Sequence, residues 1–379
     1  LAIGKGQRVA ILLHNGIEYL DLWFGLSRIG AIALPLNTAY KSAQLLHTLQ
    51  RAPVSAIVVE DALLPELEMV IDQLAAIKTL IVLGSATPRC SCKVMFLNDI
   101  LSMPQSPPPA IAISGADVGT IMNTSGTTGP SKGVMLSHAQ QYILGRNVAR
   151  DLALTERDVY YNFFPLFHNT AQAMITLPVL LTGAKMVLIK RFSATHFWAD
   201  VRAHGCTAFY YIGEILRILL KSTTAADGAG TKLRIGWGIG ASAADFTEFQ
   251  ARHGVVLRSG YGSTEGNVGV YLPHHNPNLA SVGRALKGFE VRVAGEDNDP
   301  LPPGKRGGIL VRSSEPCPVM LGYDGDPAAT IAAWKDLWFH TGDSGYLVAD
   351  GNLFFSGRVK DGIRVRGENV SAFEIEDAM

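Results

Sequence analysis

The stretch 124-TSGTTGPSKGVMLSH-138 places three glycines, three threonines, a proline and a lysine ahead of an apolar run. Glycines let backbone N–H groups approach an anion closely. Thr124, Ser125, Thr127, Thr128 and Ser131 add hydroxyls, Gly126 and Gly129 add freedom, and Lys132 adds one charge. Charge-assisted hydrogen bonds are worth roughly 1.5–3 kcal/mol each, so four or five of them hold a triphosphate tail. The loop is not that of a P-loop kinase or ATPase. Counted from Gly126, the second glycine position of G-x-x-x-x-G-K-[ST] is Ser131, and Gly133 stands where the hydroxyl should be. It reads as a longer hydroxyl-rich loop between the strand 119–123 and a helix that starts near Ser137.

Three further stretches carry chemistry. In 259-SGYGSTEGNVG-269, Tyr261 offers an aromatic face to a purine and Gly262 an open backbone. Thr264 offers a hydroxyl and Glu265 a carboxylate. A lone carboxylate suits Mg²⁺, which keeps several waters and takes few protein ligands. In 339–370, Asp343 and Arg358 are a pair suited to ribose hydroxyls. In 163-FFPLFHNTAQ-172, His168 sits at a strand-to-helix junction among phenylalanines, fitter to gate a pocket than to act as a base. The bland alternatives are a flexible linker, a glycine-rich turn, a surface Arg and a core histidine.

These groups need a scaffold of a particular kind. The chain has 379 residues, 47% hydrophobic, and equal numbers of acidic and basic side chains, 33 of each. That length implies two or three subdomains. A neutral chain has no global field to attract nucleic acid or anionic lipid, so any anion is held locally. The four cysteines lack C-x-x-C or zinc spacing and read as reduced thiols, which suits a cytoplasmic protein. No apolar run reaches the ~18 residues of a membrane span, and no signal peptide is visible. Peripheral membrane contact and homo-oligomerisation stay open.

Helical and extended patterns alternate. A helix covers 16–30, strands 31–37, 56–60 and 79–84, and helices around Leu45 and over 65–76. After 119-GTIMN-123, Ser137 caps a helix, and strands follow near 158–163, 185–189, 207–211, 233–237 and 254–258. The expected class is α/β: two mainly parallel sheets sandwiched with helices, plus a smaller β-barrel-like subdomain. The expected division is 1–110, 111–280 with the phosphate loop, 281–357 rich in strands, and 358–379 as a hinge and the start of a further domain. The stretch 101-LSMPQSPPPAIAIS-114 reads as a linker.

In order, TSGTTGPSKG, FPLFH, GIGAS (238–242), YGSTEG, HTGD and SGRVKDGIRVRGENV resemble the adenylate-forming superfamily, over about residues 1–379. That superfamily includes acyl- and aryl-CoA synthetases, peptide-synthetase adenylation domains and luciferases. The segments 209–221, 259–271 and 367–376 look like carnitine-CoA ligases and fatty-acid-transport-type acyl-CoA synthetases. The resemblance implies an AMP-forming acid–thiol ligase using ATP, Mg²⁺ and coenzyme A, with a place in fatty-acid or carnitine-like metabolism. A carboxylate attacks the α-phosphorus of ATP, and CoA thiol then displaces AMP. Anion meets anion, and two unit charges 4 Å apart repel by about 4 kcal/mol at an effective dielectric near 20.

By the same resemblance, Lys132 meets the β/γ-phosphates, and Glu265 with Thr124 holds Mg²⁺. Gly240, Ala241 and Ser242 border adenine, Tyr261 stacks on it, and Thr264 reaches the α-phosphate. Asp343 and Arg358 hold the ribose. His168, Tyr211, Ile212, Gly213, Trp237 and Gly266 surround the acyl group, although aromatic core is an equal reading of Trp237. Lys360 falls at the interdomain hinge, with Gly367 facing the CoA arm. The family's catalytic lysine lies roughly a hundred residues further on and is absent from this sequence. Leu1 and the helix-like end at Met379 suggest missing segments, and the chain as given is expected to bind ATP but adenylate poorly. Two rivals are a stand-alone adenylation domain loading a carrier protein and a lipid-binding, transport-assisting non-enzyme. The first usually keeps a pocket Asp, where this chain offers only Glu214. The second has no need of Lys132, Glu265, Asp343 and Arg358.

Overall fold

The computed structural model describes residues 3–104, 107, 110–124, 131–273 and 278–359, and the backbone of 362–365 and 368–371. The first sheet is built from Arg8–Leu12 (β1), Ile32–Pro35 (β2), Ala56–Glu60 (β3), Thr79–Leu83 (β4), Lys93–Phe96 (β5), Val118–Thr124 (β6) and Lys132–Ser137 (β7). Its order is β7-β6-β2-β1-β3-β4-β5, and a short distal strand, Gly322–Tyr323, extends it beyond β7. β1 to β6 pair in parallel, whereas β6 and β7 form an antiparallel hairpin.

Both faces of this sheet are covered, so its strands are apolar throughout rather than alternating. Ala10, Leu12, Ile57, Val59, Leu80 and Val82 face Leu45 and Leu49 of the helix Ser42–Arg51. Val9, Ile11, Ala33, Val58 and Ile81 face Tyr19, Trp23 and Leu26 of the helix Ile17–Arg28. Each such side chain contributes about 1.5–3 kcal/mol on burial.

The second sheet comprises Val159–Asn162 (β8), Lys185–Leu188 (β9), Ala208–Ile212 (β10), Ile235–Ile239 (β11), Val256–Ser263 (β12), Asn267–Tyr271 (β13) and Arg284–Ala285 (β14), in the order β14-β13-β12-β11-β10-β8-β9. β9, β8, β10, β11 and β12 run parallel, and β13 turns back antiparallel on β12. Phe164, Leu166 and Ala171, just past β8, pack into the first sheet's helical face and join the two layers.

A third, antiparallel sheet carries Phe289–Ala294 (β15), Gly307–Ser313 (β16), Trp334–Lys335 (β18), Trp338–Leu347 (β19) and Leu353–Arg358 (β20), while the Gly322–Tyr323 strand (β17) has returned to the first sheet. Gly362–Val365 (β21) and Glu368–Ser371 (β22) form a separate two-stranded ribbon. This is the layered α/β class expected, with a small β-rich unit.

Three sequence expectations are corrected. The glycine-rich loop does not lead straight into a helix: β7 intervenes, and the helix His138–Asp151 begins after it, with Ser137 accepting from Gln140 N–H at 3.0 Å. The boundary expected at 110/111 does not divide the sheets, because β6 pairs with β2 and carries β7 into the first sheet. The single helix over 65–76 is instead a short helix, Leu64–Glu68, and a tight turn, Ile71–Gln73. Breaking the helix lets Leu64, Leu67, Val70, Ile71 and Leu74 all reach one apolar layer.

Candidate functional site

The site grows from the carboxyl ends of β10, β11 and β12, the edge where open α/β sheets take ligands. β12 runs on through Tyr261, and its register with β13 shifts between Tyr261 and Gly262. That irregularity re-aims the chain into the 263–267 turn. Gly266 N–H donates to Ser263 Oγ at 2.9 Å, and Gln140 Nε2 donates to the Thr264 carbonyl at 2.9 Å. Asn267 closes the turn in the left-handed region at φ 62°. Its amide donates to the Pro318 carbonyl at 2.8 Å. Thr264 and Glu265 therefore sit on a braced turn.

Asp343 and Arg358 are cross-strand partners on β19 and β20. Tyr261 donates its hydroxyl to Asp343 Oδ2 at 2.7 Å, and Arg358 Nε lies 3.0 Å from Oδ1. The Arg358 contact is an ion pair off the hydrogen-bonding direction, so among the described residues Oδ1 has no hydrogen bond although the Asp343 side chain is only 8% exposed. Burial pushes the Asp343 carboxyl up; the Tyr261 hydroxyl and the Arg358 charge pull it back, and the Glu265 charge pushes it further up. An orphaned, buried carboxylate oxygen is an acceptor waiting for a hydroxyl donor.

The residues expected at the phosphates lie on β6 and β7, beside β17. Thr124 and Lys132 face each other across the hairpin, and Ser131 Oγ donates to the Thr124 carbonyl at 2.8 Å. Ser125, Gly126, Thr127, Thr128 and Gly129 lie outside the described residues, as do Lys360 and Gly367. Lys132 Nζ stands 4.7 Å from the centre of the Tyr323 ring, and the Tyr323 hydroxyl reaches Glu265 Oε1 at 3.4 Å. The Glu265 charge raises the pKa of both Asp343 and Tyr323, so one carboxylate electrostatically joins the two corners. Among the described residues no group of three His, Cys, Asp or Glu side chains is placed to hold a metal. An ion held by one carboxylate and a nucleotide's phosphates fits that composition.

On the acyl side, Gly213 opens the helix Gly213–Ser222, and a Cβ there would stand 1.9 Å from the Gly240 carbonyl. The ends of β10 and β11 thus touch, with Gly240 at φ +70°. Ser242 accepts from Asp245 N–H at 3.1 Å and caps the helix Ala243–His253. Ile212 is exposed, and a Cβ on Gly266 would meet the Phe339 ring at 3.0 Å. His168 is exposed beside Phe167, their ring centres 4.6 Å apart, and its walls desolvate it enough to push its pKa below the ordinary value.

Two residues expected at the acyl group occupy the core instead. Trp237 is 0% exposed, stacks with Tyr210 and donates Nε1 to Asp151 Oδ2 at 2.9 Å. Tyr211 is also 0% exposed and donates its hydroxyl to the Arg258 carbonyl at 2.7 Å. The reason is that β10 and β11 are covered on both faces, so alternate side chains all go inward. Sequence reasoning missed Gln140, Asn267, Tyr323 and Asp324. An Asn just after the acidic turn and a Tyr-Asp pair beside a glycine were the available signals.

A family model described as AMP-binding enzyme matches residues 1–324. A crotonobetaine/carnitine–CoA ligase of Salmonella paratyphi B is 32% identical over 382 residues, covering 100% of this chain and 74% of the relative. The ATP-bound structure of MatB from Rhodopseudomonas palustris superposes with a TM-score of 0.87 at 26% identity, covering 100% of this chain and 74% of that one. The anthranilate CoA ligase AuaEII in complex with anthranoyl-AMP, 23% identical, shares the fold with a TM-score of 0.90 over 99% of this chain and 72% of its own.

Proposed function

The chain belongs to the AMP-binding enzyme family, and from that premise we propose that it is an ATP-dependent acid–thiol ligase. It joins a carboxylic acid to the α-phosphorus of ATP, releasing pyrophosphate, and then passes the acyl group to the thiol of coenzyme A, releasing AMP. The observation that carries the reading is the convergence of two corners on one space. Asp343 accepts from the ribose hydroxyls through Oδ1 and Arg358 donates to them; Tyr261 borders the base. Lys132 meets the β/γ-phosphate charge, Thr264 reaches the α-phosphate, and the backbone of Gly240–Ser242 flanks the purine. Glu265 and the Thr124 hydroxyl would hold Mg²⁺, which when bound would supply charge neutralisation at the phosphates. Preplaced positive groups are what an attacking carboxylate needs against a polyanion.

His168, kept neutral by desolvation, and Ile212 border the mouth of the acyl site. The acid is of the carnitine-like or fatty class, a reading supported by the carnitine–CoA ligase relatives. The deciding experiment is acid-dependent ATP–pyrophosphate exchange by the full-length protein over a panel of carboxylates, followed by CoA thioester formation. Exchange with a short zwitterionic or fatty acid is expected. Tight lipid binding with no exchange on any acid overturns the proposal in favour of a transport-assisting binder, and exchange without CoA transfer favours a carrier-loading domain.

A further inference from the structure

Tyr323 touches both opposite charges of the phosphate end. Its ring seats the Lys132 ammonium at 4.7 Å, and its hydroxyl meets Glu265 Oε1 at 3.4 Å. A phenol keeps its proton at neutral pH and a carboxylate only accepts, so the hydroxyl donates. Lys132 and Glu265 form no ion pair with each other among the described residues.

The segment carrying this ring is fastened at every turn. Met320 N–H donates to the Glu265 carbonyl at 2.8 Å, and Leu321 N–H to Met135 at 2.9 Å. Tyr323 N–H donates to Thr330 Oγ1 at 2.9 Å, and Asp324 N–H to Gly133 at 2.7 Å. The Asp324 carboxylate is gripped by both terminal nitrogens of Arg8, at 2.7 and 2.9 Å. A bidentate Arg–carboxylate pair fixes direction as well as distance. Together these bonds tie the Glu265 turn, β7 and β1 to the segment 320–324 that carries the ring.

We propose that Tyr323 is the positioning residue of the phosphate site: its hydroxyl fixes the Glu265 carboxylate and its ring seats Lys132, holding opposite charges apart so that both remain available to Mg·ATP. The inference rests on the roles given above to Lys132 and Glu265. Lysine's flexible four-carbon stem otherwise lets the ammonium collapse onto the carboxylate and silence both. An aromatic face offers the ammonium a weaker partner that a phosphate easily outcompetes.

Two variants separate the two halves of the role. Tyr323→Phe keeps the ring and removes the hydroxyl. It is expected to raise the Mg²⁺ concentration for half-maximal pyrophosphate exchange about 10-fold, the scale of one hydrogen bond to a charged group, with AMP affinity unchanged. Tyr323→Leu removes both contacts and is expected to weaken Mg·ATP binding, read by calorimetry, further. Its effect combined with Lys132→Ala should fall short of the product of the two singles. Melting curves confirm that the variants fold. A wild-type Mg²⁺ requirement in Tyr323→Phe together with full additivity of Tyr323→Leu and Lys132→Ala overturns the proposal. Failure of the unaltered protein to bind Mg·ATP removes the premise, and the role of Tyr323 falls with it.

Discussion

Residues 260 and 261 are neighbours on β12, yet they face two regions built in opposite ways. Gly260 abuts the Trp237 ring, where an added Cβ would stand 2.9 Å away. Tyr261 faces Asp343. Strand alternation sends the two residues to opposite sides. Around Trp237, Tyr210 and Tyr271 complete a close-packed aromatic block in which the indole N–H is satisfied by Asp151. Around Asp343, burial raises the cost of the charge, and among the described residues one oxygen faces the Arg358 charge without a hydrogen bond. The first region spends its side chains on stability. The second keeps an unmet acceptor whose purpose is met only when a hydroxyl donor enters.

Substitutions on each side should therefore separate stability from binding. Trp237→Ala, which empties a packed site, is expected to destabilise the chain by about 3–5 kcal/mol in denaturant unfolding. The protein that stays folded should retain its ATP affinity; loss of ATP binding at unchanged stability would erase the distinction. Glu265→Ala is expected to lower Mg-dependent exchange by about 100-fold, roughly 2.7 kcal/mol, with little change in stability. An unchanged rate would make the metal assignment wrong.

Asp343→Asn sharpens the contrast further. The carboxyl's folded pKa is raised, so the folded chain holds this proton more tightly than the unfolded chain does. The ionised group then opposes folding above its folded pKa, and the opposition disappears below its unfolded value of about 3.9. The amide variant should melt higher than the unaltered chain at pH 7 and equally at pH 3, while nucleotide affinity falls about 10-fold, as for one lost hydrogen bond to a charged acceptor. A lower melting temperature at pH 7 would show that the Arg358 and Tyr261 contacts outweigh desolvation.

The residues of the polar corner stood out in the sequence because they lie in glycine-rich segments, where hydroxyl, acidic and aromatic side chains have no packing reason to cluster, although the structure draws Lys132, Tyr261, Asp343 and Arg358 into strands. The packed region did not. Trp237 read equally as pocket or core and Tyr211 as pocket, and only a sheet covered on both faces decides that both go inward. β1, β5 and β7 escaped notice for a related reason: each has only 4 to 6 residues, and β7 begins with Lys132 and Gly133, which read as loop. Tyr323 and Asp324 lie in 322-GYDGDP-327, a run of turn residues, and their partners Lys132, Glu265 and Arg8 are far away in sequence.

The central claim is that Asp343 and Glu265 serve the same bound nucleotide from opposite ends. Calorimetric titration with Mg·ATP and with adenosine tests it most directly. Asp343→Asn should weaken both ligands, and Glu265→Ala should weaken Mg·ATP alone. Binding of both ligands at wild-type affinity in Asp343→Asn, or loss of adenosine affinity in Glu265→Ala, would contradict it.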